Sequence, residues 1–388
     1  MAQRISNWKF QISNPKSLCP LCVLCVSVVV LLTTVIRASA VMRLRSQERA
    51  ASKEVKAGAA YKPSNGPYAV GSVEDLVLRD RARGKDLPVA VRYPKTDRAG
   101  EKFPVIVFSH GLGASGKNYA PLTEYWASYG YVVLQPTHTD SYMLRRERGM
   151  NGLEAARDLM DDLGSSDGRA DRVRDVTFLL DSLSEVESRV PAIKGRLDRG
   201  RIGVGGHSYG AYTSQMIGGV TLKLPGESQP RSFADRRAAA VLLLSPQGHD
   251  RIGLTDGSWE NLRVPMMLMT GTYDTGRAGQ PPDWRLEPYK LCPPGDKYAV
   301  FIEGANHLSF TGRWAGGNRG GVGSGGLLAR RFDRLAEGTD QKAIFGYVEQ
   351  ASLAFWDAYL KGDRSAKDYL KSDALARLSG GAAKLSRK

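Results

Sequence analysis

Residues 201–210 read RIGVGGHSYG. An apolar, β-branched run (Ile202, Val204) leads into Ser208, flanked two residues away on either side by Gly206 and Gly210, and a helix-like segment follows. A G-x-S-x-G pattern between a strand and a helix puts its serine on a sharp turn, where a side chain at either glycine would collide with neighbouring backbone. The turn lifts the Ser208 hydroxyl clear of the sheet. In a chain with 43 glycines the pattern alone is weak, so its meaning depends on what the ends of other strands carry.

Working outward, short apolar runs alternate with longer amphipathic ones from Val73 onward. That alternation predicts a mostly parallel sheet with helices on both faces. Eight strands are expected, at 73–79, 88–93, 104–109, 131–135, 201–206, 239–245, 265–270 and 298–303. VIVF, AVLLL and MMLM are continuously apolar, as in strands buried on both faces, whereas the first two runs alternate and suit an antiparallel edge. Val173, Val176, Leu179, Leu180 and Leu183 recur at helical spacing, as do Ile344, Val348, Phe355 and Tyr359, so each set presents an apolar stripe to the sheet. Residues 67–370 read as one catalytic domain. The segment 312–327, GRWAGGNRGGVGSGGL, is too glycine-rich for regular structure; 41–66 reads as a loosely ordered lead-in and 371–388 as a basic tail.

Residues 1–40 stand apart. Arg4, Lys9 and Lys16 precede an apolar run from Leu18 to Ile36 that exits through Ala38-Ser39-Ala40, the order of parts in a secretory signal peptide. Cleavage there would give a secreted or periplasmic protein; left uncleaved, the 19-residue run is long enough to serve as a membrane anchor. Cys19, Cys22 and Cys25 lie in this leader, which leaves Cys292 alone in the remainder and no disulfide within it. The net charge is +15, or +11 without residues 1–40, which carry four basic residues and no acid. Such a charge favours weak association with anionic surfaces. The basic residues are nevertheless scattered, Arg145, Arg146 and Arg148 being the densest group, and no nucleic-acid motif accompanies them.

An acyl-transfer site needs an activated hydroxyl, a base, a group that orients the base, and fixed donors for the charge that develops on the carbonyl oxygen. With Ser208 on a strand-to-helix turn, the expected chain order is serine, acid, histidine. Of the five histidines only His307, in GANHLSF, follows the last expected strand, so it is the candidate base. Asp274, in MTGTYDTG after the strand at 265–270, is the candidate acid; Asp250 follows the preceding strand and Asp296 precedes the last one, and both stand as rivals. The oxyanion donors expected are the amide of Tyr209, next to the serine, and that of Leu112, between Gly111 and Gly113 in SHGLG. His110 is placed to hold that loop, His207 to be buried and structural, and His138 and His249 to line the pocket rim. No two histidines share metal-ligand spacing, so neither metal nor cofactor is called for.

Several segments taken together resemble one group of proteins: GPYAVGSVEDLVLRD, PVIVFSHGLGASGKNY, RIGVGGHSYGAYT, VLLLSPQG, VPMMLMTGTYDTG, GANHLSF and FWDAYLKGD. They are similar to the serine α/β-hydrolases grouped as dienelactone hydrolases and platelet-activating-factor acetylhydrolase-like esterases. The resemblance implies an α/β-hydrolase fold, a Ser208, Asp274, His307 triad, and oxyanion amides at Leu112 and Tyr209. It implies a carboxylic-ester hydrolase that works through an acyl-enzyme on small or medium acyl groups of small-molecule esters. Two departures are visible. Dienelactone hydrolases have cysteine where this chain has Ser208, and the acetylhydrolases place their acid after the sixth strand, where this chain reads LLLSPQG. An acyltransferase on the same scaffold, or a non-catalytic binding protein with this fold, are the alternative readings.

Overall fold

The computed structural model describes residues 61–62, 64–224, 226–249, 252–312 and 339–388. The leader at 1–40, most of the lead-in, Asp250 and all but Gly312 of the glycine-rich segment lie outside the described residues. Eleven strands are described: β1 (Val70–Asp80), β2 (Lys85–Pro94), β3 (Phe103–Ser109), β4 (Val132–Pro136), β5 (Leu197–His207), β6 (Thr221–Leu222), β7 (Arg231–Ser232), β8 (Ala238–Leu244), β9 (Met266–Tyr273), β10 (Lys297–Asn306) and β11 (Ala383–Arg387). The α-helices described are α1 (Ala120–Ser128), α2 (Tyr142–Glu147), α3 (Gly152–Gly164), α4 (Ser166–Asp181), α5 (Leu183–Arg189), α6 (Tyr209–Ile217), α7 (Glu287–Leu291), α8 (Gln341–Leu360), α9 (Arg364–Lys371) and α10 (Ala374–Leu378). Among the described residues no helix is long and apolar enough to cross a membrane.

Nine strands form one sheet in the order β1-β2-β4-β3-β5-β8-β9-β10-β11, and β6 and β7 make a separate small hairpin. The central six strands run parallel, while β1 and β2 enter antiparallel at one edge. Strand alternation sorts the apolar residues into two cores. Val105, Val107, Val204, Val241 and Leu243 face Val173, Val176, Leu179 and Met216 of α4 and α6. Ile106, Phe108, Leu242, Leu244 and Met267 face Trp126, Val348, Phe355 and Trp356 of α1 and α8. A sheet clothed in this way is buried on both faces, which is why its strands carry unbroken apolar runs.

Two readings of the sequence need correction. The stretch 371–388 is not a free tail: α10 buries Ala374 and Leu375, and β11 pairs antiparallel with β10 from Tyr298↔Arg387 to Ile302↔Ala383. AKLSR alternates weakly, with only Ala383 fully buried, and its Lys384 and Arg387 decorate an outer strand, the usual guard against edge-to-edge pairing. Nor is the end of the lead-in loose. The Tyr61 hydroxyl donates to Asp357 Oδ2 at 2.8 Å, Lys62 Nζ reaches the same oxygen at 2.6 Å, and the Gly66 amide donates to Ser128 Oγ at 2.8 Å. A buried carboxylate on α8, also gripped by Lys361 and Tyr131, fixes the segment there.

Candidate active site

In an open α/β sheet the functional crevice lies beyond the carboxyl ends of the parallel strands. Here those ends deliver Ser109 from β3, Ser208 after β5, Ser245 after β8, Asp274 after β9 and His307 after β10. Ser208 has φ 53° and ψ −117°, a conformation that costs a non-glycine residue about 1–3 kcal/mol. The strain is held by its surroundings: Ser208 N–H donates to Leu244 O at 2.9 Å, and the Tyr212 amide caps the Ser208 carbonyl at 3.1 Å. Both flanking glycines are sterically required. A Cβ at Gly210 would strike the Ser109 carbonyl, and one at Gly206 would strike the backbone of Gly210.

Ser208 Oγ stands 2.9 Å from His307 Nε2. On the other side of the ring, His307 Nδ1 lies 3.0 Å from Asp274 Oδ1. The Asp274 carboxylate is buried: Ser245 Oγ donates to it at 2.8 Å and Thr270 Oγ1 at 2.9 Å, and the Arg285 guanidinium forms an ion pair with it, Nε lying 2.8 Å away. Burial by itself opposes ionisation of Asp274, but the Arg285 guanidinium, His307 and Ser245 outweigh it and hold the carboxyl at about 2. Burial pushes His307 below the ordinary histidine value, against the pull of Asp274. Ser245 Oγ is 2.7 Å from His307 Nδ1 as well. Since the Ser245 proton goes to Asp274, its oxygen shares the Nδ1–H with the carboxylate, and the imidazole is fixed in one tautomer.

The loop after β3 carries the second set of groups. Neither the Leu112 amide nor the Tyr209 amide donates to an acceptor among the described residues, and both residues border one cavity of about 230 Å³. Leu159 and Leu163 of α3 and Asp171 and Arg172 of α4 also line it. Gly113, at φ 73°, could carry no side chain, because a Cβ would strike the Tyr142 ring.

The remaining histidines divide. His110 Nδ1 meets the Gly111 carbonyl at 2.7 Å, inside the loop. His207 is buried, with Nδ1 2.9 Å from Tyr119 Oη and Nε2 2.8 Å from the His307 carbonyl; burial and the neighbouring His307 hold it at about 3, so it stays neutral. His249 is half-buried and pairs with Glu287 at 2.6 Å. His138 is not at a pocket rim. It is fully buried, between Asp175 Oδ2 at 2.8 Å and Ser109 Oγ at 3.1 Å, because α4 covers it. Asp296 stands at the amino end of β10, away from these groups, where the Met266 amide donates to its carbonyl. Ser245, Arg285 and Arg172 escaped the sequence reading. Ser245 had a signal, as the polar residue that closes an apolar run; the two arginines had none.

Comparison with known proteins adds the lineage. Residues 83–146 match the model of the family "Platelet-activating factor acetylhydrolase, isoform II". A platelet-activating factor acetylhydrolase from Bos taurus is 28% identical over 145 residues, covering 30% of this chain and 32% of that protein; the dog protein matches equally. The chain is similar to the platelet-activating factor acetylhydrolases. The match spans about a third of those relatives' length, and the family match includes the loop that carries Leu112 but not Ser208, Asp274 or His307. A solved structure, the ferulic acid esterase from Streptomyces cinnamoneus, superposes with a TM-score of 0.57 at 21% identity, over 84% of this chain and 97% of its own. The fold is that of an α/β-hydrolase.

Proposed function

We propose that this chain is a serine carboxylic-ester hydrolase that works through an acyl-enzyme. The observation that carries the reading is Ser208, strained onto an elbow with Oγ 2.9 Å from an imidazole whose other nitrogen is 3.0 Å from a buried carboxylate. His307 Nε2 takes the Ser208 proton as Oγ bonds to the ester carbonyl carbon, and the oxygen gains the negative charge. The amides of Leu112 and Tyr209 hold that charge. His307 then gives its proton to the departing alkoxide, and water repeats the sequence on the acyl-enzyme. Asp274 stays ionised throughout, because its proton leaves near pH 2.

The names of the similar proteins denote an acetylhydrolase and a ferulic acid esterase. Both names are consistent with a small or medium acyl group on Ser208, with the carbonyl oxygen at the amides of Leu112 and Tyr209. The leader at 1–40 supports a secreted or periplasmic site of action. A panel of p-nitrophenyl esters of rising acyl length tests the activity, together with fluorophosphonate labelling. Cleavage should favour short chains, and Ser208→Ala should lose about 10⁴- to 10⁶-fold in kcat and all labelling. Undiminished turnover in Ser208→Ala would refute the proposal.

A further inference from the structure

We infer that Arg172 is a positioning residue for the oxyanion hole, aiming the Leu112 amide by holding the carbonyl on the other side of the same peptide. This rests on the hydrolase reading above. In a planar trans peptide the C=O of residue 111 and the N–H of residue 112 point in opposite directions, so fixing one fixes the other. The Gly111 carbonyl is held by His110 Nδ1 at 2.7 Å, by the Ala114 amide at 3.1 Å and by Arg172 Nη2 at 3.3 Å. His110 can only be the donor there, because its Nε2 accepts the His138 amide at 2.9 Å. Gly111 is pinned at its other end too, its amide donating to Tyr119 Oη at 3.0 Å.

Arg172 reaches past that one carbonyl. Nη1 donates to the His110 carbonyl at 2.6 Å, and Nε and Nη2 form a two-pronged pair with Asp140 at 2.8 and 2.6 Å. Asp140 Oδ2 in turn accepts the Gly113 amide at 2.9 Å. The ion pair therefore grips residues 110, 111 and 113, around a Leu112 amide that donates to no acceptor among the described residues. The same guanidinium lies 4.5 Å from the centre of the Tyr209 ring, on the residue that supplies the second amide. Arg172 is 2% exposed. A buried ion pair seldom improves on apolar packing for stability alone, so its retention here fits a task of orientation. Only arginine has the planar fork of donors that this arrangement uses; lysine offers a single charged point.

The test compares wild type with Arg172→Lys, Asp140→Asn and Arg172→Ala. Each is assayed on p-nitrophenyl butyrate and titrated with an alkyl trifluoromethyl ketone, which adds Ser208 Oγ and forms an oxyanion. Arg172→Lys should lose about 10- to 100-fold in kcat with KM within about twofold, and the ketone should weaken by the same factor. Asp140→Asn, nearly isosteric, should move both in the same direction by less, and carries the test if the lysine variant does not fold. Because Arg172 borders the cavity, added guanidinium should restore part of the kcat of Arg172→Ala. A structural role alone would lower the melting temperature without linking kcat to ketone affinity. Folded variants that keep kcat and ketone affinity, or lose kcat with the ketone unaffected, overturn the inference. If wild type cleaves no ester and takes up no fluorophosphonate, the hydrolase reading fails instead.

Discussion

Two serine–histidine–aspartate chains run through the described part of this molecule with nearly the same spacing. One is Ser208, His307 and Asp274, at 2.9 and 3.0 Å; the other is Ser109, His138 and Asp175, at 3.1 and 2.8 Å. In both, the histidine bonds a serine oxygen through Nε2 and a buried carboxylate through Nδ1. Their surroundings differ. The His307 side chain is 18% exposed and Ser208 sits on a strained elbow, whereas Ser109, His138 and Asp175 are wholly buried and Ser109 ends an ordinary strand. The Tyr209 amide next to Ser208 donates to no acceptor among the described residues. Asp274 is steadied by Arg285, while Asp175 is tied to Lys85 at the start of β2 and to Arg83 in the turn before it. The same hydrogen-bonding chain thus occurs twice; access for a carbonyl and donors for its charge are what would separate the proposed reactive site from a brace.

The sharpest way to break this contrast is to remove one carboxylate from each chain. Asp274→Asn should lower kcat by about 10⁴-fold with the fold intact, since the asparagine favours the wrong imidazole tautomer. Esterase assays beside circular dichroism check it; a loss under tenfold would put the relay in doubt. Asp175→Asn should instead act on stability, costing about 1–3 kcal/mol and lowering Tm in proportion, with Ser109→Ala at the lower end of that range. Thermal melts read this directly, and both variants should still take up fluorophosphonate. Loss of labelling in a well-folded Ser109→Ala protein would mean that the inner chain is more than a brace.

The smallest effect concerns pH. Burial holds His307 below its ordinary value of 6.5, and a general base works when neutral. The rate, as kcat/KM, should therefore rise with pH and reach half its plateau below 6.5. Asp274 favours the protonated ring, so the residual activity of Asp274→Asn should have its midpoint at still lower pH. A midpoint above 6.5 in the wild type would contradict the environment described for the imidazole.

Much of this could be read from residue order, for identifiable reasons. The apolar runs of β3, β8 and β9 announced a sheet buried on both sides, and Ser208, Asp274 and His307 each follow a strand in that sheet. Strand ends are legible because a change from apolar to polar marks them. What was hidden depends on pairings with no local signature. QPTHTDS looks like a solvated turn, and only the packing of α4, 37 residues further on, seals His138 against Asp175. Arg285 lies in PPDWRLEPY without any periodicity, yet its guanidinium bonds the carbonyls of Asp274, Ser245, Pro246 and Thr275. β11 was missed because one buried alanine in five residues is too faint a pattern to register.

The hydrogen bonds that run from the Gly111 amide through the buried Tyr119 and His207 to the His307 carbonyl tie the segment after β3 to the one after β10. Damage to either segment should therefore be felt on the opposite one. On the proposed mechanism, a lesion that tilts the imidazole should also misalign the proposed oxyanion amides, so engineering either loop in isolation should disturb proton transfer and charge stabilisation together.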